Sequence, residues 1–511
     1  MVTDWATFGV DLHVEVNPSA GRRTGLERAI RDAVRAGRLA PRTRLPSTRA
    51  LAAQLRMSRN TVAAAYDQLV AEGYLSARPG SGTVVAGQPR PAAPTPAPAL
   101  GPPPPRYDLR PGSPDTSTFP TAAWLRSARR ALSAAPTSVY GYGDARGHPA
   151  LRNALAGYLG RARGVQADPG QIVITAGYVQ GLALLAGVLA AAGTPVIAME
   201  DPGLGFHRDV ATRAGARVVP LPVDALGART DLLGTGDLSG VAAAVLTPAH
   251  QYPTGVTLHP RRRQAATEWA RATGGVVIED DYDGEFRYDR HPVGALQGTA
   301  PDQVAYLGTA SKTLGPALRL AWLVPPARLL ARICEAKRYA DGHSEVLGQL
   351  TLADLIESHA YDRHIRAIRA RYRRRRDLLV SWFTAAGGSD MQVSGIAAGL
   401  HAMINLPPGG PSEAAVVTRL AEHGVAVGEL AGHWHEHDPA HREGLIVGYG
   451  TPTEGTYPTA LDILVRTVRG SALSALSALS AAGSPPERPA VRRNAASPAG
   501  TTPRRASGPR G

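Results

Sequence analysis

The sequence predicts an α/β domain with a largely parallel sheet, preceded by a small basic unit of three helices and a hairpin. Three observations carry this reading. Short apolar runs alternate with helical stretches between residues 107 and 470. A Pro/Ala-rich stretch, 87–106, separates that region from what precedes it. Positive charge is crowded at the two ends of the chain: residues 21–85 hold 12 Arg and four acids, and residues 481–511 hold six Arg and one Glu, out of a net charge of +14. At 511 residues the chain exceeds the roughly 250–300 that one core sustains.

The small unit, residues 18–86, is read from periodicity and caps. Leu26, Ile30, Ala33 and Val34 recur at helical spacing within Arg23 to Arg38. Ser47 is a cap candidate for a second helix, Thr48 to Leu55, and Ser58 opens a third that ends at Gly73. Two short strands around a Gly-rich tip, from Tyr74 to Val85, form a hairpin. This is a winged helix-turn-helix, whose third helix would enter a major groove with Ser58, Arg59, Asn60 and Thr61 leading. Arg reads guanine and Asn reads adenine bidentately, and Gly80 lets the wing approach the duplex closely.

Residues 87–106 form a semi-rigid spacer, since proline excludes helix. Beyond it, Val173-Ile174, Val196 to Ala198, Val218-Val219, Val241 to Leu246, Val276 to Ile278 and Val304 to Leu307 are the apolar strands. The run Ala183–Ala192 suits a buried helix better than a membrane span. From Ser471 a Ser-Ala-Leu repeat and a Pro/Ser/Arg tail predict disorder, with no role beyond non-specific polyanion contact. One cysteine, Cys334, and an N-terminus without an apolar core fit a reducing cytoplasm.

Lysine is scarce: Lys312 and Lys337 stand against 54 arginines. Only an amine condenses with an aldehyde; a guanidinium stays protonated. Lys312 sits at a strand-to-loop boundary, whereas Lys337 lies in a helix-like run with no motif around it. Thr175 to Gly181 follows a strand and opens a helix, a setting that suits a phosphate. Glu279 to Asp283 follows another strand, and a carboxylate there could hold a pyridine nitrogen protonated.

Two resemblances follow. Leu45 to Ala52, Ser58 to Val62, Glu72 to Leu75 and Gly80 to Thr83 resemble the GntR family of bacterial regulators. That implies double-stranded operator DNA as partner, touched by Arg49, Ser58, Arg59, Asn60, Thr61 and Gly80. Residues from about Tyr107 to Arg469 resemble fold-type I aminotransferases, which bind pyridoxal 5′-phosphate (PLP). The carrying segments are Tyr140 to Asp144, Pro253-Thr254-Gly255 and Ser311-Lys312. The resemblance implies Lys312 as the Schiff-base lysine, Asp280 at the pyridine nitrogen and Tyr282 at the ring hydroxyl. Gly177, Tyr178, Val179, Thr309, Ser311 and Arg319 would surround the phosphate, and Tyr142 would reach the phosphate of a second subunit in a homodimer. Tyr252 precedes Pro253 where an Asn is usual, and Leu204 follows Asp201-Pro202-Gly203 where an aromatic is usual. Arg442 is the nearest match for an effector-carboxylate clamp.

Winged helix, linker and aminotransferase-like domain together look like the MocR subfamily, in its PdxR-like form. This implies a PLP-binding transcriptional regulator of vitamin B6 or amino-compound metabolism, with PLP or an amine as effector and transaminase activity weak or absent. Two other readings stand beside it: a PLP aminotransferase with a tethering DNA-binding module, and a cofactor-free dimeric repressor.

Overall fold

The computed structural model describes residues 21–482, apart from 79–81, 87–103, 192, 194, 289–292, 386–391, 396, 408–409, 437 and 439–440. Gly80 and most of the 87–106 segment therefore lie outside the described residues. The chain divides into two compact units, Met1–Pro103 and Pro104–Gly511.

In the first unit, α1 (Arg22–Arg35), α2 (Thr48–Leu55) and α3 (Arg59–Ala71) are followed by the hairpin β1 (Leu75–Arg78) and β2 (Gly82–Val85). The caps are the two serines. Ser47 Oγ accepts from Ala50 N at 3.2 Å and Ser58 Oγ from Thr61 N at 3.0 Å, which satisfies leading N–H groups of α2 and α3. Leu26 and Ile30 from α1, Leu51 from α2, Val62, Tyr66 and Leu69 from α3, and Leu75 and Val85 from the wing close one small core.

The second unit begins with β3 (Tyr107–Asp108), α4 (Thr121–Ala134) and α5 (Pro149–Arg163). Strands and helices then alternate: β4 (Val173–Thr175), α6 (Tyr178–Ala190), β5 (Val196–Asp201), α7 (Gly205–Arg213), β6 (Arg217–Asp224), β7 (Gly227–Ala228), β8 (Val241–Leu246), α8 (Pro260–Thr273), β9 (Val276–Asp281), β10 (Val304–Thr309) and β11 (Ala321–Val324). They form an eight-stranded sheet in the order β4-β11-β10-β9-β8-β5-β6-β7. The pairings among β10, β9, β8, β5 and β6 are parallel. β11 runs antiparallel to both its neighbours, β10 and β4. Every residue of β9 and β10 is buried, as expected of a sheet covered on both faces. β11 is as apolar as its neighbours, and only its pairing reveals its reversed direction.

Three long helices follow, α9 (Ala327–Asp341), α10 (Leu347–Glu357) and α11 (Ala360–Ala385). A smaller four-stranded sheet then packs β12 (Gln392–Ser394), β13 (His401–Asn405), β16 (Gly444–Gly448) and β15 (Gly428–Glu429) in that order, beside α12 (Glu413–Glu422), β14 (Val425–Ala426) and α13 (Tyr457–Ala482). The last helix runs past Ser471, where disorder was expected: the backbone is helical to Ala482, and residues 483–511 of the expected tail lie outside the described residues. Alanine and leucine dominate the Ser-Ala-Leu repeat, and both favour helix. No helix among the described residues is long and apolar enough to cross a membrane.

Candidate functional site

One cavity of about 340 Å³ lies in the second unit, at the carboxyl ends of the central strands, where parallel α/β sheets place their ligands. β4 leads into Gly177 and Tyr178, β5 contributes Met199 and Glu200, β8 leads into Thr247, β9 supplies Asp280 and leads to Tyr282, and β10 leads to Ser311 and Lys312. From the smaller sheet come Leu400 and His401.

Strand alternation sorts the acids of β9. Glu279 and Asp281 share one face. Glu279 accepts from Leu296 N at 2.7 Å and Gln297 N at 2.9 Å, and Asp281 pairs with Arg163 at 2.7 Å. Asp280 points to the other side, into the cavity, and is 6% exposed. Among the described residues its Oδ1 has no hydrogen-bond partner of full geometry; the Tyr178 hydroxyl acts on the carboxyl from nearby, and burial pushes it well above the ordinary carboxylate range. A buried carboxyl oxygen with no donor is costly. A pyridinium N–H supplies both the missing donor and the opposite charge.

Lys312 is half-buried, and its Nζ donates to Gly112 O. Burial lowers its pKa; Asp283 and, less strongly, Asp280 oppose that. Burial thereby moves the amine toward its neutral, nucleophilic form.

The remaining expected residues build a cradle. Gly177 caps α6 with φ 93° and ψ 165° and leaves the helix start without a side-chain cap. Its missing Cβ makes room for Arg319: a Cβ there would lie 2.8 Å from the Arg319 guanidinium. Arg319, at φ 54°, donates to Ala176 O. Thr309 Oγ1 donates to Ser311 Oγ at 2.9 Å and accepts from Ser311 N at 3.1 Å. Tyr178 and Val179 complete this end of the cavity. A bare helix N-terminus, an arginine and two hydroxyls suit a phosphate. The residues present thus fit PLP at both its ring nitrogen and its phosphate.

Two expected residues lie elsewhere. Tyr142 is 98% exposed and outside the cavity of its own chain. Arg442 is also exposed and does not line the cavity. Besides Arg319, Arg208 lines it, and its guanidinium donates to the carbonyls of Gly203 (3.0 Å), His433 (2.9 Å) and Trp434 (2.9 Å).

Sequence reasoning missed several lining residues. His207 stands three residues after Leu204, so the start of α7 presents both to the cavity, while Phe206 is exposed. The His207 ring lies 4.5 Å from that of Tyr178, and burial lowers its pKa to about 4, so it is neutral at pH 7. The i, i+3 spacing from Leu204 was the available signal. Glu200 accepts from Thr247 N at 3.1 Å, and burial raises it to about 7. Tyr252, which stands where an Asn is usual, lines the site as well, and so does His401, which nothing local marks.

Lys337 departs from its sequence reading. Its Nζ is fully buried and donates to Asp341 (2.7 Å) and Ser344 (2.9 Å). Gln180 Nε2 donates to the same Asp341 at 2.9 Å, and Gln180 Oε1 accepts from Ala176 N at 2.8 Å. The second lysine therefore anchors the turn that carries the cradle. Lys337→Met is expected to destabilise the chain by about 2 kcal/mol in urea denaturation. This is less than for a fully buried pair, because Asp341 is 26% exposed and partly hydrated.

On the first unit, Arg49, Ser58, Arg59 and Asn60 are exposed and Thr61 is half-buried. Arg49 and Arg59 bond no described residue. Ser58 and Thr61 are tied to one another by their hydroxyls at 2.7 Å.

A winged helix and an aminotransferase-type domain in one chain define a class of transcriptional regulator. The model of the bacterial regulatory proteins of the gntR family matches residues 23–85, and that of aminotransferase class I and II matches residues 108–432. The chain belongs to the MocR subfamily of GntR-type regulators. It is 34% identical over 455 residues to the HTH-type pyridoxine biosynthesis transcriptional regulator PdxR of Corynebacterium glutamicum, covering 87% of this chain and 96% of that protein. To the probable rhizopine catabolism regulatory protein MocR of Rhizobium meliloti it is 34% identical, covering 69% and 75%. A Pyrococcus horikoshii kynurenine aminotransferase shares the fold, with TM-score 0.64 and 23% identity over 71% of this chain and 90% of that one.

Proposed function

We propose that this chain is a PLP-binding transcriptional regulator of vitamin B6 or amino-compound metabolism. In this reading residues 18–86 bind operator DNA, 87–106 link the units, and 107–470 hold PLP and dimerise. The observation that carries it is the orphaned, buried Oδ1 of Asp280 in the cavity that also holds the Lys312 amine. Asp280 would hold the ring nitrogen, Tyr282 the ring oxygen, and Gly177, Tyr178, Val179, Thr309, Ser311 and Arg319 the phosphate. PLP supplies an aldehyde for Lys312 and an electron-withdrawing ring. The names of the PdxR and MocR relatives support regulation of that metabolism. The exposure of Tyr142 supports a second copy as its partner.

The test is an absorbance titration of the full chain with PLP, followed by a gel shift on the DNA upstream of its own gene with and without PLP. A visible-edge band and a PLP-dependent change in operator affinity are expected; a colourless protein, or DNA binding blind to PLP, overturns the reading. PLP shifts the regulator only as far as its affinities for the two states differ.

Arg59→Ala is expected to weaken specific operator binding about 10- to 100-fold and to leave the PLP band unchanged. Loss of the band would contradict the division of labour between the two units.

A further inference from the structure

The spacer between the two units ends at β3, and the chain that follows runs from there to the cavity. Tyr107 N donates to Gly424 O at 2.9 Å, Leu109 N donates to Ala426 O at 2.8 Å, and Leu109 O accepts from Gly448 N at 2.7 Å. Tyr107 and Leu109 are buried in the core beneath the small sheet, with Tyr372, Ala402 and Val447. Glycines let this segment lie directly on that sheet. A Cβ on Gly428 would lie 2.9 Å from Pro111, one on Gly448 2.4 Å from Arg110 O, and one on Gly450 2.5 Å from Ser113 O. At the far end the Asp115 carboxylate pairs with Arg371 at 2.9 Å and Arg375 at 3.3 Å, and Asp115 N donates to Tyr372 Oη at 2.9 Å. Residues 107–115 are therefore a strap fixed at both ends to the small-sheet body, and the spacer is rooted in that body.

The cavity lies where this body meets the large sheet. Pro111 and Gly112 of the strap line it, and Lys312 enters it from the large sheet, after β10. The Lys312 amine donates to Gly112 O, 200 positions earlier in the chain. Two other main-chain bonds cross the same junction without the amine: Gly203 N donates to His433 O at 2.9 Å, and His435 N donates to Asp201 Oδ1 at 2.9 Å.

The amine cannot serve Gly112 and an aldehyde equally. Free, it has hydrogens to donate and turns about its side-chain bonds. On condensing with an aldehyde, the neutral amine gives both hydrogens to a departing water, whose oxygen comes from the aldehyde, and a C=N bond replaces the C=O bond. The nitrogen then carries no hydrogen, or one once protonated, and its direction is set by the planar double bond. Gly112 is exposed, so its carbonyl turns to water instead.

We infer that the Lys312–Gly112 hydrogen bond ties the large sheet to the strap, and that capture of an aldehyde by the amine releases this tie and so reports occupancy to the body in which the spacer is rooted. The identity of the aldehyde rests on the Proposed function; the tie does not. Small shifts of packed bodies across such a junction are an established way for a bound ligand to act at a distance. The shift can be no larger than the worth of the contacts that distinguish the two states.

The experiment separates the donor from the nucleophile and begins without cofactor. Amide hydrogen exchange of the full chain is read at Gly203 and His435 in the parent, in Lys312→Met and in Lys312→Arg. Methionine has no donor; arginine keeps a donor for a carbonyl but cannot condense with an aldehyde. Exchange about tenfold faster in Lys312→Met is expected, with Lys312→Arg close to the parent and the amides of β9 and β10 unchanged in both. Parent-like exchange in Lys312→Met overturns the tie. Equally fast exchange in Lys312→Arg also overturns it, because the loss would then follow any change at this position. Lys312→Ala supplies a second donor-free side chain should Lys312→Met not fold.

A gel shift on the same samples reads the link to DNA. Lys312→Met without PLP should match the parent with PLP, and Lys312→Arg the parent without it; equal operator affinities in the two variants overturn the report to the spacer. A parent that shows the visible-edge band yet keeps slow exchange at Gly203 and His435 overturns it as well. A parent that takes no PLP, while the two variants differ as described, sinks the Proposed function and leaves the tie in place.

Discussion

Lys312→Ala, and equally Lys312→Arg, is expected to remove the visible-edge band of the PLP-loaded protein completely. The argument is one of nucleophile and place. The chain has two lysines, and Lys337 is fully buried in contact with Asp341 and Ser344. Lys312 alone among them lines the cavity, and burial favours its neutral form. Arginine keeps the positive charge but cannot condense with an aldehyde. The thermal midpoint of Lys312→Ala should hold or rise, because removing a half-buried amine removes its desolvation cost. Differential scanning fluorimetry and an absorbance spectrum on the same sample check both. A full-strength band in Lys312→Ala would remove this lysine from the chemistry.

Gly177→Ala is expected to weaken PLP binding at least a hundredfold. At φ 93° and ψ 165° this residue occupies backbone space that is essentially glycine-only, and the strain costs about 1–3 kcal/mol. The new methyl would also meet the Arg319 guanidinium, with Nη1 at 2.8 Å and Nη2 at 3.0 Å. That pushes away the arginine at the phosphate end, and charge-assisted hydrogen bonds are worth about 1.5–3 kcal/mol each. Strain and lost contacts fall on the same event. Gly177→Ala should therefore lose PLP affinity far more than it loses operator affinity in the absence of PLP. Affinity within threefold of the parent chain would mean that the phosphate sits elsewhere.

Much of this was legible before any coordinates. Ser47 and Ser58 each stand where a helix must begin, and both cap one, because a short hydroxyl side chain satisfies a leading N–H from that position alone. The six apolar runs became strands β4, β5, β6, β8, β9 and β10; β9 and β10 are buried throughout, whereas β6 is mostly not. Lys312 stood out because arginine had displaced lysine almost everywhere else. β11 was not legible: its apolar residues match those of its neighbours, and its reversed direction depends on which strands flank it. The sequence around Arg442 did not reveal that it is exposed and does not line the cavity. Lys337 looked incidental because Gln180, the residue linking its partner to the cradle, lies 157 positions away.

Local chemistry by itself determined the helices with their caps, the apolar strands, the basic winged unit and the amine able to capture an aldehyde, because each depends on neighbours within a few residues. Tertiary structure alone decided which acid of Glu279, Asp280 and Asp281 faces the cavity, that His207 and Arg208 rather than Phe206 and Arg442 line it, and that the Lys312 amine reaches Gly112 O. Those outcomes depend on strand facing, helix phase and glycine gaps between segments more than a hundred residues apart, where burial and hydrogen-bond supply are set by packing.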